Sequence, residues 1–146
     1  QSKTDSSKKV AARIRQIEDK FELTFKIKQD KGKLEVNFDV PNNSIEHFQR
    51  VEIQAFLKQH NYNSEWHYIG ELHTTRHVVQ DVYGEICIDH NQYLNIEDYE
   101  FEYEVNNAYE NLAFARYLEI LNQFSIKNIK AKAKFHRFVI TKFDLD

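Results

Sequence analysis

The sequence predicts an α+β protein of about six or seven mostly antiparallel strands and two helices. Three observations carry that prediction. In residues 98–105, D-Y-E-F-E-Y-E-V, the acidic Asp98, Glu100, Glu102 and Glu104 alternate with Tyr99, Phe101, Tyr103 and Val105, which is the period of a β-strand. Three further alternating runs near the N-terminus are joined by short connections, the pattern of an antiparallel meander. Finally, N-S-I-E at 43–46 and N-A-Y-E at 107–110 resemble capping boxes, each opening an apolar helical pattern.

Length and composition bound the rest. A chain of 146 residues is most economically a single domain, large enough to bury a real core. Hydrophobic and charged contents of 41% and 29% are ordinary for a globular protein. The net charge of −3 argues against a general nucleic-acid binder. No apolar run reaches the length of a membrane span and no signal-peptide core is visible. The sole cysteine, Cys87, excludes an internal disulfide and fits a reducing cytoplasm, which is the expected location.

Taken in order, residues 1–9 are polar and aperiodic and read as a loop or disordered arm. Residues 10–17 place Arg13 and Arg15 on one strand face. In residues 21–28, Phe21, Leu23, Phe25 and Ile27 oppose Glu22, Thr24, Lys26 and Lys28. D-K-G-K at 30–33 reads as a turn, and in residues 34–40 Leu34, Val36, Phe38 and Val40 oppose Glu35, Asn37 and Asp39. Pro41 stops that strand, and a helix follows to about His60, with Ile45, Phe48, Phe56 and Leu57 among its apolar residues. A long strand is expected over about 66–80. A turn at 81–84 leads into E-I-C-I-D, where Glu85, Cys87 and Asp89 share a face, and H-N-Q-Y-L-N reads as the turn before the acidic strand. The second helix runs to about Phe124 with Leu112, Leu118 and Leu121 on its apolar side. The tail from Ser125 carries Lys127, Lys130, Lys132, Lys134 and Arg137, then F-V-I, and no repeat or second domain is visible.

The charged strand faces admit two arrangements. In an open sheet or sandwich each one meets solvent, as most antiparallel strands allow. In a barrel that is polar inside and covered by helices outside, Glu100, Glu102 and Asp89 confront Arg13, Arg15, Lys26, Lys28 and Arg76. Such an enclosure suits a polyanion bridged to the carboxylates by a divalent cation, with arginine forks on phosphate oxygens. His73 and His77 are too far apart on a strand to chelate zinc together. Cys87 has no paired cysteine or local basic partner and reads as a packed small residue. Three glycines supply no phosphate-binding loop.

Six short motifs occur in the order seen in the CYTH superfamily, the triphosphate tunnel metalloenzymes: A-R-I-R at 12–15, L-T-F-K at 23–26, L-E-V-N at 34–37, L-H-T-T-R at 72–76, I-D at 88–89 and D-Y-E-F-E-Y-E at 98–104. A-K-F-H-R-F at 133–138 also resembles the closing lysine motif of that superfamily. Over roughly residues 10–140 the chain is most similar to the small CYTH proteins of low-GC Gram-positive bacteria. The resemblance implies an eight-stranded antiparallel barrel, closed or nearly closed into a tunnel, with a polar interior and helices outside. It implies triphosphate contacts from Arg13, Arg15, Lys26, Arg76 and Lys134. It also implies Mg²⁺ or Mn²⁺ on Glu100 and Glu102, the catalytic carboxylates, with Asp89 nearby. The implied activity is hydrolysis of inorganic triphosphate, thiamine triphosphate or a nucleoside triphosphate. Adenylate cyclase-type cyclisation and binding without turnover are the alternatives, and a homodimer is left open. The E-x-E-x-K strand that defines the family, and the Y-F-D-T segment that usually follows it, are not in this chain. A start at Gln1 and the absence of Met lead to the expectation that this first strand precedes the chain.

Overall fold

The computed structural model describes residues 10–28, 33–62, 65–105 and 107–145. The arm read at 1–9 and the turn centred on Lys31 and Gly32 lie outside them. The chain divides into two compact units, Gln1–Ile69 and Gly70–Asp146, each of which is built around an antiparallel meander.

In the first unit the alternating runs become β1 (Val10–Ile17), β2 (Lys20–Lys28) and β3 (Lys33–Val40), paired in the order β1-β2-β3. The register sets Arg13 opposite Thr24, Arg15 opposite Glu22 and Lys26 opposite Glu35. A register fixed this way sorts every side chain to one face or the other. The apolar face supplies Leu23, Phe25 and Val40 to a core completed by Phe48, Ile53 and Leu57. Phe25 meets Phe38, Phe48 and Trp66 edge-on, with ring centroids 6.1, 5.7 and 5.8 Å away, the arrangement aromatic quadrupoles favour.

A cap is present but falls one residue later than the capping box places it: the Ser44 hydroxyl, not Asn43, accepts from the Glu46 backbone N–H, at 3.2 Å. The helix it opens is interrupted, however. A 3₁₀ turn, Ile45–Gln49, ends at Arg50, whose extended backbone starts α1 (Val51–Gln59). Asn61, at φ 61°, closes α1 with the Tyr62 N–H donating back to the Leu57 carbonyl at 2.8 Å, a left-handed helix ending.

The second unit pairs β4 (His73–Asp81), β5 (Gly84–Tyr93) and β6 (Ile96–Val105) in the order β4-β5-β6. Two boundaries differ from the sequence reading. The strand expected from about 66 begins only at His73, because Trp66 is drawn into the aromatic core of the first unit, 5.0 Å from Phe48. H-N-Q-Y continues β5, and the chain reverses at Leu94 and Asn95, both at positive φ (53° and 84°), as a tight two-residue hairpin requires.

After a short 3₁₀ turn, Asn107–Tyr109, α2 (Glu110–Gln123) lies on the face bearing Phe101 and Tyr103, with no side-chain cap at its start. A third helix, α3 (Lys134–Phe143), was not anticipated. It lies on the opposite, charged face. There Phe138 packs 6.1 Å from Tyr93 and closely enough on Gly70 that a Cβ there would sit 2.6 Å from its ring. The described residues thus hold six strands in two three-stranded sheets and three α-helices; an eight-stranded closed barrel is not among them. None of their helices is long and apolar enough to cross a membrane.

Candidate functional site

The pairing of β4, β5 and β6 lines up four rows on one face: Thr74–Asn91–Asp98, Arg76–Asp89–Glu100, Val78–Cys87–Glu102 and Gln80–Glu85–Glu104. The acidic alternation of β6 therefore lies beside the polar positions of β5, and α3 covers them. Asp89 and Asn91 are fully buried.

Arg76 grips Asp89 with two parallel bonds, Nε to Oδ1 at 2.6 Å and Nη2 to Oδ2 at 2.7 Å, the strong bidentate geometry. The same guanidinium reaches Glu102 Oε2 at 2.8 Å and Glu104 Oε1 at 2.6 Å. From α3, Lys134 Nζ donates to Asp89 Oδ2 and lies 3.4 Å from Glu102 Oε1 and 3.7 Å from Glu100 Oε2. Arg137, three residues on and so on the same side of the helix, donates through Nη2 to Glu100 Oε2 at 2.9 Å and lies 3.2 Å from Asp98 Oδ2. Beneath them Thr74 Oγ1 donates to Asn91 Oδ1 at 2.7 Å, Asn91 Nδ2 to Asp98 Oδ1 at 2.9 Å, and the Tyr93 hydroxyl to Asp98 Oδ2 at 2.8 Å.

These contacts set the protonation states. Burial alone would push the Asp89 carboxyl up, but Arg76 and Lys134 outweigh it and hold it below the usual carboxylate range. Asp98 follows the same logic, its burial overridden by Asn91, Tyr93 and Arg137. Arg76 is held more firmly protonated than an ordinary arginine, chiefly by its bond to Asp89. For Arg137 burial acts the other way, and Glu100 and Asp98 override it to raise its pKa. Asp89, Asp98, Glu100, Glu102 and Glu104 together outnumber Arg76, Lys134 and Arg137. Negative charge is in surplus.

That surplus, made of carboxylate oxygens, suits a hard divalent cation such as Mg²⁺ or Mn²⁺. A second group, Glu85, Cys87 and Glu104, brings three ligand atoms within 4.8 Å of one another. Burial pushes the Cys87 thiol up, and a protonated thiol is a poor partner for such a cation. On the other face of the sheet, Arg116 and the Tyr103 hydroxyl hold Asp81 (3.1 and 2.6 Å).

Of the expected residues, the second unit brings together Arg76, Asp89, Glu100, Glu102 and Lys134. The first unit brings Arg13, Arg15 and Lys26 to the charged face of its own sheet. There Arg13 and Arg15 are exposed and Lys26 pairs with Glu35 at 3.1 Å. Desolvation and the neighbouring Arg15 both lower the pKa of Arg13. The sequence reading did not single out Arg137 for the site; its spacing from Lys134, followed at once by the anchoring Phe138, is the signal that could have found it.

Fold and site together define an antiparallel α+β protein whose sheet faces can hold oxyanions and cations side by side. The CYTH domain family model matches residues 3–139, and the chain belongs to that family. It is 33% identical over 144 residues to the Bacillus subtilis (strain 168) protein named "Putative triphosphatase YjbK", a match covering 90% of this chain and 70% of that protein. A crystal structure from Bacillus halodurans, described as "a putative adenylate cyclase", superposes with a TM-score of 0.70 at 32% identity, over 88% of this chain and 72% of that one.

Proposed function

We propose that the protein is a divalent-metal-dependent hydrolase of triphosphate-bearing small molecules, acting in the cytoplasm and in no need of nucleic acid or membrane. The observation that carries the reading is the β4–β6 face, where Arg76, Lys134 and Arg137 share hydrogen-bonding space with Asp89, Glu100 and Glu102. Membership of the CYTH family and likeness to a protein named a triphosphatase support it. In this reading residues 1–146 act as one CYTH domain, and the open edges of the two sheets are completed into the eight-stranded tunnel that the family resemblance implies.

Glu100, Glu102 and Asp89 would hold Mg²⁺ or Mn²⁺, which when bound would supply charge to polarise phosphoryl oxygens and activate water. Arg76 and Lys134 hold the Asp89 carboxyl below the usual carboxylate range, so it offers a charge near neutral pH. Arg76 and Lys134 bind phosphate oxygens and neutralise the charge that develops as the terminal phosphoryl group departs. Arg13, Arg15 and Lys26 hold the remaining phosphates, the arginines through two-pronged contacts that lysine cannot copy. Arg137 keeps the Glu100 carboxylate in place.

The test is incubation of the full-length protein with inorganic triphosphate, thiamine triphosphate and ATP, each with Mg²⁺ or Mn²⁺, followed by product analysis. Release of inorganic phosphate from at least one of them is expected. Survival of all three would overturn the proposal. Cyclic nucleotide and pyrophosphate from ATP would select the cyclase reading, which the similarity to the Bacillus halodurans structure brings forward.

A further inference from the structure

The groups proposed to bind the two ligands are already bound to one another. Arg76 is engaged by Asp89, Glu102 and Glu104, and Lys134 by Asp89, Glu102 and Glu100. Neither cation is free to meet phosphate, and neither Asp89 nor Glu102 is free to meet a metal. Arg137 differs. It is the least exposed of the three cations and is shared between Glu100 and Asp98, and Asp98 is further tied to Asn91 and Tyr93.

We propose that Arg76 and Lys134 are internal counterions whose release couples the two ligands, while Arg137 stays as a fixed anchor. When phosphate oxygens draw Arg76 and Lys134 away, Asp89 is left as a fully buried, uncompensated carboxylate. That state is costly unless another cation arrives. A divalent cation that takes the carboxylates first likewise frees the guanidinium and ammonium groups for phosphate. Each ligand therefore strengthens the other by the same factor, as linkage between two sites demands. The inference rests on the triphosphate-and-metal reading above and adds that the ligand-free site opposes either ligand alone.

The test measures each ligand separately, Mn²⁺ by its paramagnetic resonance signal and inorganic triphosphate by calorimetry without metal. The proteins are the parent, Lys134→Ala and the near-isosteric Glu102→Gln. Lys134→Ala should bind Mn²⁺ more tightly, by at least about fivefold, the low end of ordinary coupling, and triphosphate more weakly. Glu102→Gln should do the reverse, gaining triphosphate affinity while losing Mn²⁺. Opposite signs on the two ligands are the signature, since damage to the fold weakens both. If Lys134→Ala fails to fold, Glu102→Gln alone decides. Should both variants bind each ligand as weakly as or more weakly than the parent, the counterion role is wrong while the proposed function stands. A parent that binds neither ligand even in the presence of the other overturns both.

Discussion

The two meanders follow the same two-residue alternation yet bury opposite faces. In β1–β3 the apolar face is the buried one, with Leu23 and Phe25 inaccessible, while Arg13 and Arg15 on the charged face are exposed and Lys26 and Glu35 are about two-fifths open. In the second unit the charged face is the covered one along β5, where α3 closes over Asp89 and Asn91, while β4 is exposed along nearly its whole length. Stability and charge are thus separated in the first unit and superimposed in the second. A charged side chain can be removed from β1 at little structural cost, whereas removing Asp89 from the middle of β5 takes a fully buried carboxylate away from the half-buried Arg76 and Lys134.

The sharpest way to break that contrast is Asp89→Ala against Arg15→Ala. Removing one partner of a buried ion pair typically costs about 3–5 kcal/mol, and a loss of that size is expected for Asp89→Ala in urea unfolding. Arg15→Ala should stay within about 0.5 kcal/mol of the parent, shifted if anything upward by relief of the repulsion that lowers Arg13. Similar losses for the two would erase the distinction.

Gly70→Ala addresses what holds α3 down. Its φ of 142° and the 2.6 Å approach of a Cβ to Phe138 mean overpacking, which costs about 1–3 kcal/mol. Lower thermal stability and weaker inorganic triphosphate binding should appear together, because Lys134 rides on the displaced helix. A variant with unchanged melting temperature would show that α3 tolerates displacement.

The smallest effect is that of pH. Asp89 and Asp98 have folded pKa values below their unfolded ones. The stability they contribute is therefore fully present above the unfolded value of about 3.9 and is lost as pH falls through the lower folded values. Melting temperature should hold as pH drops towards about 4 and fall below it, and Asp89→Asn should blunt that fall. An equal acid slope in parent and variant would remove Asp89 as a source.

How legible this was depended on whether a face was sorted by hydrophobicity. β2 was plain, since Phe21, Leu23, Phe25 and Ile27 all turn inward, and N-S-I-E marked the cap to within one residue. The second unit hid its buried layer. Asn91 is buried on polar contacts alone and Tyr93 on both its bond to Asp98 and the Phe138 ring, so H-N-Q-Y reads in sequence as a turn. α3 carries a marked helical period, but two of its inward groups, Lys134 and Arg137, are charged and only Phe138 is a buried apolar residue, so the stretch reads in sequence as a lysine-rich tail. The site residues Arg76, Asp89, Glu100 and Glu102 were visible because their alternation was strict and their motifs resembled those of a family. Their pairing with Arg137 depends on where α3 docks, and that is a tertiary fact.

Glu100 is the residue on which the proposed metal-dependent triphosphate hydrolysis at the charged face of β4–β6 stands or falls. Phosphate release from inorganic triphosphate should be measured across a Mn²⁺ titration for the full-length parent and for Glu100→Ala, with circular dichroism to show that both are folded. The expected result is Mn²⁺-dependent release by the parent and at least about a hundredfold slower release by the variant, equivalent to about 2.7 kcal/mol. A folded Glu100→Ala protein releasing phosphate at the parental rate and the same Mn²⁺ concentration would contradict the account.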